Sequence, residues 1–67
     1  MYVEINHQKT AVGIDCKTLQ QLLENQQLVR QGIAVAVENR VVPRQKWSET
    51  ELADGMKITV IQAVCGG

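Results

Sequence analysis

The chain opens on a period of two. Met1, Val3 and Ile5 alternate with Tyr2, Glu4 and Asn6, the pattern of a strand with one buried face. Asn6-His7-Gln8 reads as a turn. Thr10, Val12 and Ile14 then alternate with Ala11 and Gly13, which predicts a second strand and an N-terminal hairpin. Gly13 weakens the end of that strand. At Thr18 the period changes. Thr18-Leu19-Gln20-Gln21 carries the pattern of a capping box, in which the threonine oxygen accepts from the third amide and the glutamine reaches back. Leu19, Leu22 and Leu23 fall on one face of the helix that follows. That helix is expected to end between Gln27 and Gln31, with Gly32 as its stop.

Period two returns with Ile33, Val35 and Val37 against Ala34, Ala36 and Glu38. Asn39-Arg40 predicts a tight turn, because asparagine tolerates positive φ. Val41-Val42 is a short strand ended by Pro43, which cannot donate to a ladder and so belongs at a sheet edge. Arg44 to Asp54 has no clean period. Ser48-Glu49-Thr50-Glu51 would cap a single helical turn, and Trp47 and Leu52 would pin this connection to the core. Asp54-Gly55 signals a turn. Lys57 to Val64 is apolar on both faces for most of its length, as a central strand is. One apolar helical stripe needs a sheet to cover it, so the fold class is α+β, with one main helix on a four- or five-stranded sheet. If that sheet has a face without a helix, Tyr2, Ala34, Ala36, Ile61 and Ala63 would line it. They read either as a docking surface beside the chain's end or as scattered exposed apolar residues.

Sixty-seven residues make a single domain, 1–67, whose last stretch, 63–67, reads as an extended tail. A domain this small cannot wall off a deep catalytic pocket in one copy and keep a full core. That argues against an autonomous enzyme but not against a subunit of one. Seven basic residues balance seven acidic ones, and Trp47 and Tyr2 are the only aromatics. Protein partners are therefore expected rather than nucleic acid. Two cysteines and one histidine, widely spaced, do not compose a zinc site, so no metal is expected. With neither a signal-peptide pattern nor an apolar run of membrane-spanning length, no membrane association is expected and the location is read as cytoplasmic. His7 reads as a solvated turn residue and Cys16 as a small packing residue. Trp47 reads as core or as a partner contact, and Arg44 as solvated or as a partner contact.

The stretch that asks for a function is Ala63-Val64-Cys65-Gly66-Gly67. A glycine pair packs nothing and costs the most backbone entropy to order. It offers a thin thread, and four extended residues from Val64 reach roughly 13–14 Å at about 3.3–3.6 Å each. Such a thread can enter a narrow channel in a partner while the globule docks outside. A C-terminal carboxylate is an anion at neutral pH and a poor electrophile until activated. Cys65 reads as a tolerated small side chain, with a disulfide-linked dimer under oxidising handling as the sharper alternative.

Length, Thr18-x-x-x-Leu22-Leu23, Asn39-x-x-Val42-Pro43-Arg44-x-x-Trp47, Asp54-Gly55 and Val64-Cys65-Gly66-Gly67 occur here in one order along the whole chain. Together they resemble the sulfur carrier family of thiamine biosynthesis (ThiS), a ubiquitin-like β-grasp fold ending in Gly-Gly. The resemblance implies a mixed sheet with the first and last strands side by side at its centre. It implies that the chain binds no cofactor and is a co-substrate rather than an enzyme. An E1-like (ThiF-like) adenylyltransferase would use ATP to adenylate Gly67, and a sulfur-donor protein would supply sulfur to form a thiocarboxylate. A ThiG-like thiazole synthase would take that sulfur. Val64, Cys65 and Gly66 would then occupy the partner channel. The same fold and tail also suit the small subunit of molybdopterin synthase, a ubiquitin-like protein modifier, or a plain interaction module. The short length and Val42-Pro43-Arg44-x-x-Trp47 favour the first.

Overall fold

In the computed structural model, residues 1–62 are described. The tail expected at Ala63, Val64, Cys65, Gly66 and Gly67 lies outside the described residues.

β1 (Tyr2–Ile5) and β2 (Gln8–Ala11) form the N-terminal hairpin. Ile5 pairs with Gln8, so Asn6 and His7 alone make the turn, at φ 50° and 69°. Two consecutive left-handed residues give the turn whose twist matches a hairpin. β2 thus begins before the position that the alternation of Thr10, Val12 and Ile14 implied, and it stops at Ala11, which pairs with Tyr2 at the start of β1. Ile14, expected in this strand, lies in a turn and is 91% exposed. Met1 stands before β1 and is half exposed rather than buried.

α1 (Leu19–Asn25) starts as its capping box dictates. Thr18 Oγ1 accepts from the Gln21 N–H at 3.2 Å, and Gln21 Oε1 accepts from the Thr18 N–H at 3.2 Å and the Lys17 N–H at 2.8 Å. Leu19, Leu22 and Leu23 are buried. The helix ends earlier than expected, and Gln27 rather than Gly32 stops it. Gln27 takes φ 58°, its N–H donates to Glu24 O at 3.0 Å, and the Leu28 N–H donates to Leu23 O at 2.8 Å. These are the paired bonds of a Schellman closure. The early stop brings Leu28 back against the core. Gly32, at φ 76°, turns the chain into the next strand instead.

β3 (Ile33–Val37) and β4 (Arg40–Val42) form the second hairpin. Val37 pairs with Arg40, so the turn is Glu38-Asn39, one residue earlier than expected, at φ 51° and 69°. Glu38 is held there from both ends. Its N–H donates to Lys57 O at 2.9 Å, and its Oε2 accepts from the Lys57 N–H at 2.7 Å. Pro43 ends β4, and a 3-10 helix (Arg44–Glu49) follows at once instead of starting at Ser48. Trp47 is buried within it, and its indole N–H donates to Val42 O at 3.0 Å. The next residues bind the start of α1: the Leu19 N–H donates to Thr50 O at 2.8 Å and the Leu52 N–H to Lys17 O at 2.9 Å.

β5 (Lys57–Gln62) completes a five-stranded mixed sheet in the order β2-β1-β5-β3-β4. β5 runs parallel to β1 and antiparallel to β3, so the first and last described strands lie side by side at the centre. The edge position of β4 and the central position of β5 match the sequence pattern. α1 covers one face, over Val3, Ile5, Val35 and Ile58, with Val12, Cys16 and Trp47 completing the core. Among the described residues, none forms a second layer on the other face. Ile61 therefore stays 54% exposed although β5 is central. No helix among the described residues is long and apolar enough to cross a membrane.

Gln27 holds a left-handed conformation that glycine adopts without the steric cost of a Cβ. Gln27→Gly is expected to raise unfolding stability by about 0.5–1 kcal/mol in urea titration, with an unchanged denaturant slope.

Candidate functional site

Register decides which side chains surround the strand that leads to the tail. On the helix-free face Ala34 lies opposite Ile61, Ala36 opposite Thr59, and Val41 opposite Ala36. Ile61, Ala34 and Ala36 are thus neighbours. Val41, which the sequence reading did not single out, joins them and is 74% exposed. Its place was readable from the pattern, since of the pair Val41-Val42 only one can face the core. Small alanines at β3 leave Ile61 and Val41 standing proud of the sheet, an apolar patch close to the last described residue, Gln62.

Tyr2 shares this face but not this patch. In the parallel pairing Glu4 is opposite Lys57. Tyr2 lies two residues before that point and Ile61 four after it, so they stand about 20 Å apart at ~3.3 Å per residue. Glu4, Lys9 and Lys57 occupy the same face between them. Tyr2 is instead tied to the opposite pole. Its N–H donates to Asp54 Oδ1 at 2.9 Å, its carbonyl accepts from the Gly55 N–H at 2.6 Å, and Lys9 Nζ lies 4.5 Å from its ring centroid. Ala63 lies outside the described residues.

Arg44 is exposed but not simply solvated. Its guanidinium donates through Nη2 to the Arg30 carbonyl and sits 5.1 Å from the Trp47 ring centroid. It fastens the segment after α1 to the 3-10 helix. His7 is exposed in the first hairpin turn, and Cys16 is a buried free thiol. Among the described residues, no cluster of His, Cys, Asp and Glu could hold a metal ion.

Toward Gln62, the last described residue, the sheet narrows. β1 pairs with β5 only at Glu4↔Lys57 and Ile5↔Ile58 before it turns away. From there the Asn6 side chain continues the contact: Oδ1 accepts from the Val60 N–H at 2.8 Å and Nδ2 donates to Val60 O at 3.3 Å. A cavity of about 170 Å³ lies here, lined by Asn6, Leu28, Arg30, Ile33, Val60 and Gln62. Sequence reasoning assigned Asn6 to a turn and gave no signal for its second partner, which lies 54 residues away.

A single helix over a mixed sheet, with parallel terminal strands at its centre and the last strand running out to a Gly-Gly sequence, defines a ubiquitin-like β-grasp domain. The model of the ThiS family matches residues 2–67, and the chain belongs to that family. It is 33% identical over 51 residues to the sulfur carrier protein ThiS of Escherichia coli (strain K12), a match covering 76% of this chain and 77% of that protein. The crystal structure of the thiamine biosynthesis protein ThiS from Geobacter metallireducens superposes with a TM-score of 0.85 over the full length of both chains. Its sequence is only 19% identical, so that likeness is one of fold.

Removing the Arg44 side chain deletes a charge-assisted hydrogen bond and a cation–π contact at a partly solvated site. Arg44→Ala is expected to cost about 1–1.5 kcal/mol in chemical denaturation, and Arg44→Lys to recover part of it.

Proposed function

We propose that this chain is a sulfur carrier of thiamine biosynthesis, with Gly67 as its reactive C-terminal residue. It is a protein co-substrate and not a catalyst. The observation that carries the reading is a family match running through Val64-Cys65-Gly66-Gly67, attached to a strand held at the centre of the sheet. Likeness to a named sulfur carrier supports it over the molybdopterin synthase subunit and the protein modifier.

In this proposal the Gly67 carboxylate attacks the α-phosphorus of ATP on an E1-like adenylyltransferase, and pyrophosphate leaves. The resulting acyl-adenylate has AMP as a good leaving group. Sulfide-level sulfur handed over by a donor protein attacks the acyl carbon, the C–O bond to AMP breaks, and the product is the thiocarboxylate, a soft nucleophile that delivers sulfur on a thiazole synthase. The carrier binds no cofactor itself, since ATP belongs to the partner, and its work is cytoplasmic. Glycine at 66 and 67 keeps side chains away from the path of the nucleotide and of the attacking sulfur.

Ile61, Ala34, Ala36 and Val41 serve as the docking patch, because a carrier passed between enzymes needs a reusable apolar surface near its reactive end. Tyr2, at the far pole, is a secondary contact for a partner large enough to span the sheet. Arg44 acts through the fold rather than as an anchor.

Intact mass spectrometry of protein from its native cell tests the chemistry. The thiocarboxylate adds about 16 Da and reacts selectively with electrophiles, which separates it from oxidation of the same nominal mass. Localisation of that mass to Gly67 is the expected result. Isopeptide-linked conjugates would support the modifier instead. In pyrophosphate exchange, Gly67→Ala is expected to slow adenylation at least tenfold while unfolding stays within ~0.5 kcal/mol of wild type. Equal exchange by the two proteins would refute the assignment of Gly67.

Ile61→Ser tests the patch. Its half-exposed side chain contributes little to the core, so stability should change by no more than about 0.5–1 kcal/mol. Binding to the adenylyltransferase, read by titration calorimetry, should weaken at least fivefold.

A further inference from the structure

The central strand of this sheet is not flanked in the same way along its length. Lys57 and Ile58 lie between β1 and β3, with Glu4 and Ile5 on one side and Val37 on the other. The Glu4 N–H donates to Met56 O at 2.8 Å and the Asn6 N–H to Ile58 O at 2.9 Å, which are the last backbone bonds from β1. β1 then enters its two-residue turn, whereas β5 continues to Gln62. From Val60 onward the neighbouring strand on that side is gone. On the other side pairing continues through Val35↔Val60, Ala34↔Ile61 and Ile33↔Gln62. A strand paired on one edge only frays more easily than one paired on both.

Asn6 fills the gap with its side chain. It occupies the first turn position at φ 50°, and this conformation aims its carboxamide along the sheet at Val60. A carboxamide presents one acceptor and one donor side by side, as a peptide group does. It can therefore satisfy both the N–H and the C=O of Val60, groups that a longer parallel β1 would have bonded through two successive peptide units. Aspartate reproduces the acceptor but not the donor, and glycine reproduces the turn but neither bond.

We infer that Asn6 is a positioning residue for the reactive end. Its side chain holds Val60 in place of the missing strand and so fixes where the rigid handle stops on the way to Gly67. This rests on the carrier function proposed above. A handle held on both edges as far as Val60 delivers the chain's end to a partner channel at a set height above the docked globule. With the clamp removed, more of β5 is free to leave the sheet, and a smaller fraction of the free carrier holds its end in the conformation that docks. Once the end is seated, the chemistry is unchanged. The deficit should therefore appear in KM for the carrier and not in kcat.

The test compares wild type, Asn6→Gly and Asn6→Asp in the full-length protein. Glycine suits the left-handed turn, so Asn6→Gly separates loss of the amide from loss of the hairpin. Hydrogen exchange followed by NMR is expected to show Val60 protection reduced tenfold or more in Asn6→Gly, with the Leu22 and Leu23 amides of α1 unchanged. In pyrophosphate exchange with the adenylyltransferase and ATP, the KM for Asn6→Gly should rise at least fivefold at constant kcat, and Asn6→Asp should fall between. An unchanged Val60 amide, or an unchanged KM despite a fast-exchanging Val60, would overturn the inference. If wild type itself supports no exchange, the carrier function fails and takes the positioning role with it, whatever the Val60 amide shows.

Discussion

Parallel pairing of β1 with β5 is the contact on which the rest depends. It joins Glu4 to Lys57 and Ile5 to Ile58, residues from opposite ends of the chain. Each partner then carries its own hairpin or antiparallel neighbour, so the sheet grows outward from this seam to β2 on one side and to β3 and β4 on the other. Val3, Ile5 and Ile58, all buried beneath α1, lie on the seam's inner face. Nearly the whole chain is enclosed between the two strands, so the seam forms only when that large loop closes. Contacts of this kind favour cooperative, comparatively slow folding.

The same seam explains why the chain makes a good handle. A strand that continues into a reactive end is best anchored in the middle of a sheet, where it has partners on both edges. β5 has them for its first half, and the Asn6 carboxamide extends the hold to Val60. The core is sealed by short-range devices around this anchor. The Thr18–Gln21 capping box starts α1, the Gln27 closure returns Leu28 to the core, and Trp47 roofs the end of β4 while Arg44 stacks against it. With so small a domain spending its helix on one face, the other is left bare. That bareness leaves Ile61 and Val41 exposed.

Much of this was legible in the residues. Alternation located β1 and β3 and part of β2, the capping box located the start of α1, Pro43 marked β4 as an edge, and continuous apolarity marked β5 as a central strand. The misreadings share a cause. Turn positions were assigned to residues that favour positive φ by type, Gly32 for the helix stop and Asn39-Arg40 for the hairpin. The fold instead placed Gln27 and Glu38 there, because Leu28 gained the core and Glu38 gained Lys57. Ile14 kept the alternation but not the strand, since β1 offered it no partner.

The candidate site divides along the same line. Sequence by itself raised the expectation of carrier chemistry, from a Gly-Gly pair at the close of an apolar strand in a 67-residue chain. Period two also assigned Ala34, Ala36 and Ile61 to one face, because alternation is a property of the strand alone. Register is a property of two strands. Only the tertiary structure set Ile61 beside Ala34, added Val41, left Tyr2 about 20 Å away along the same face, and brought Asn6 to Val60. Those relations depend on how far each strand slides past its neighbour before the buried faces meet the helix, and no single segment encodes that offset.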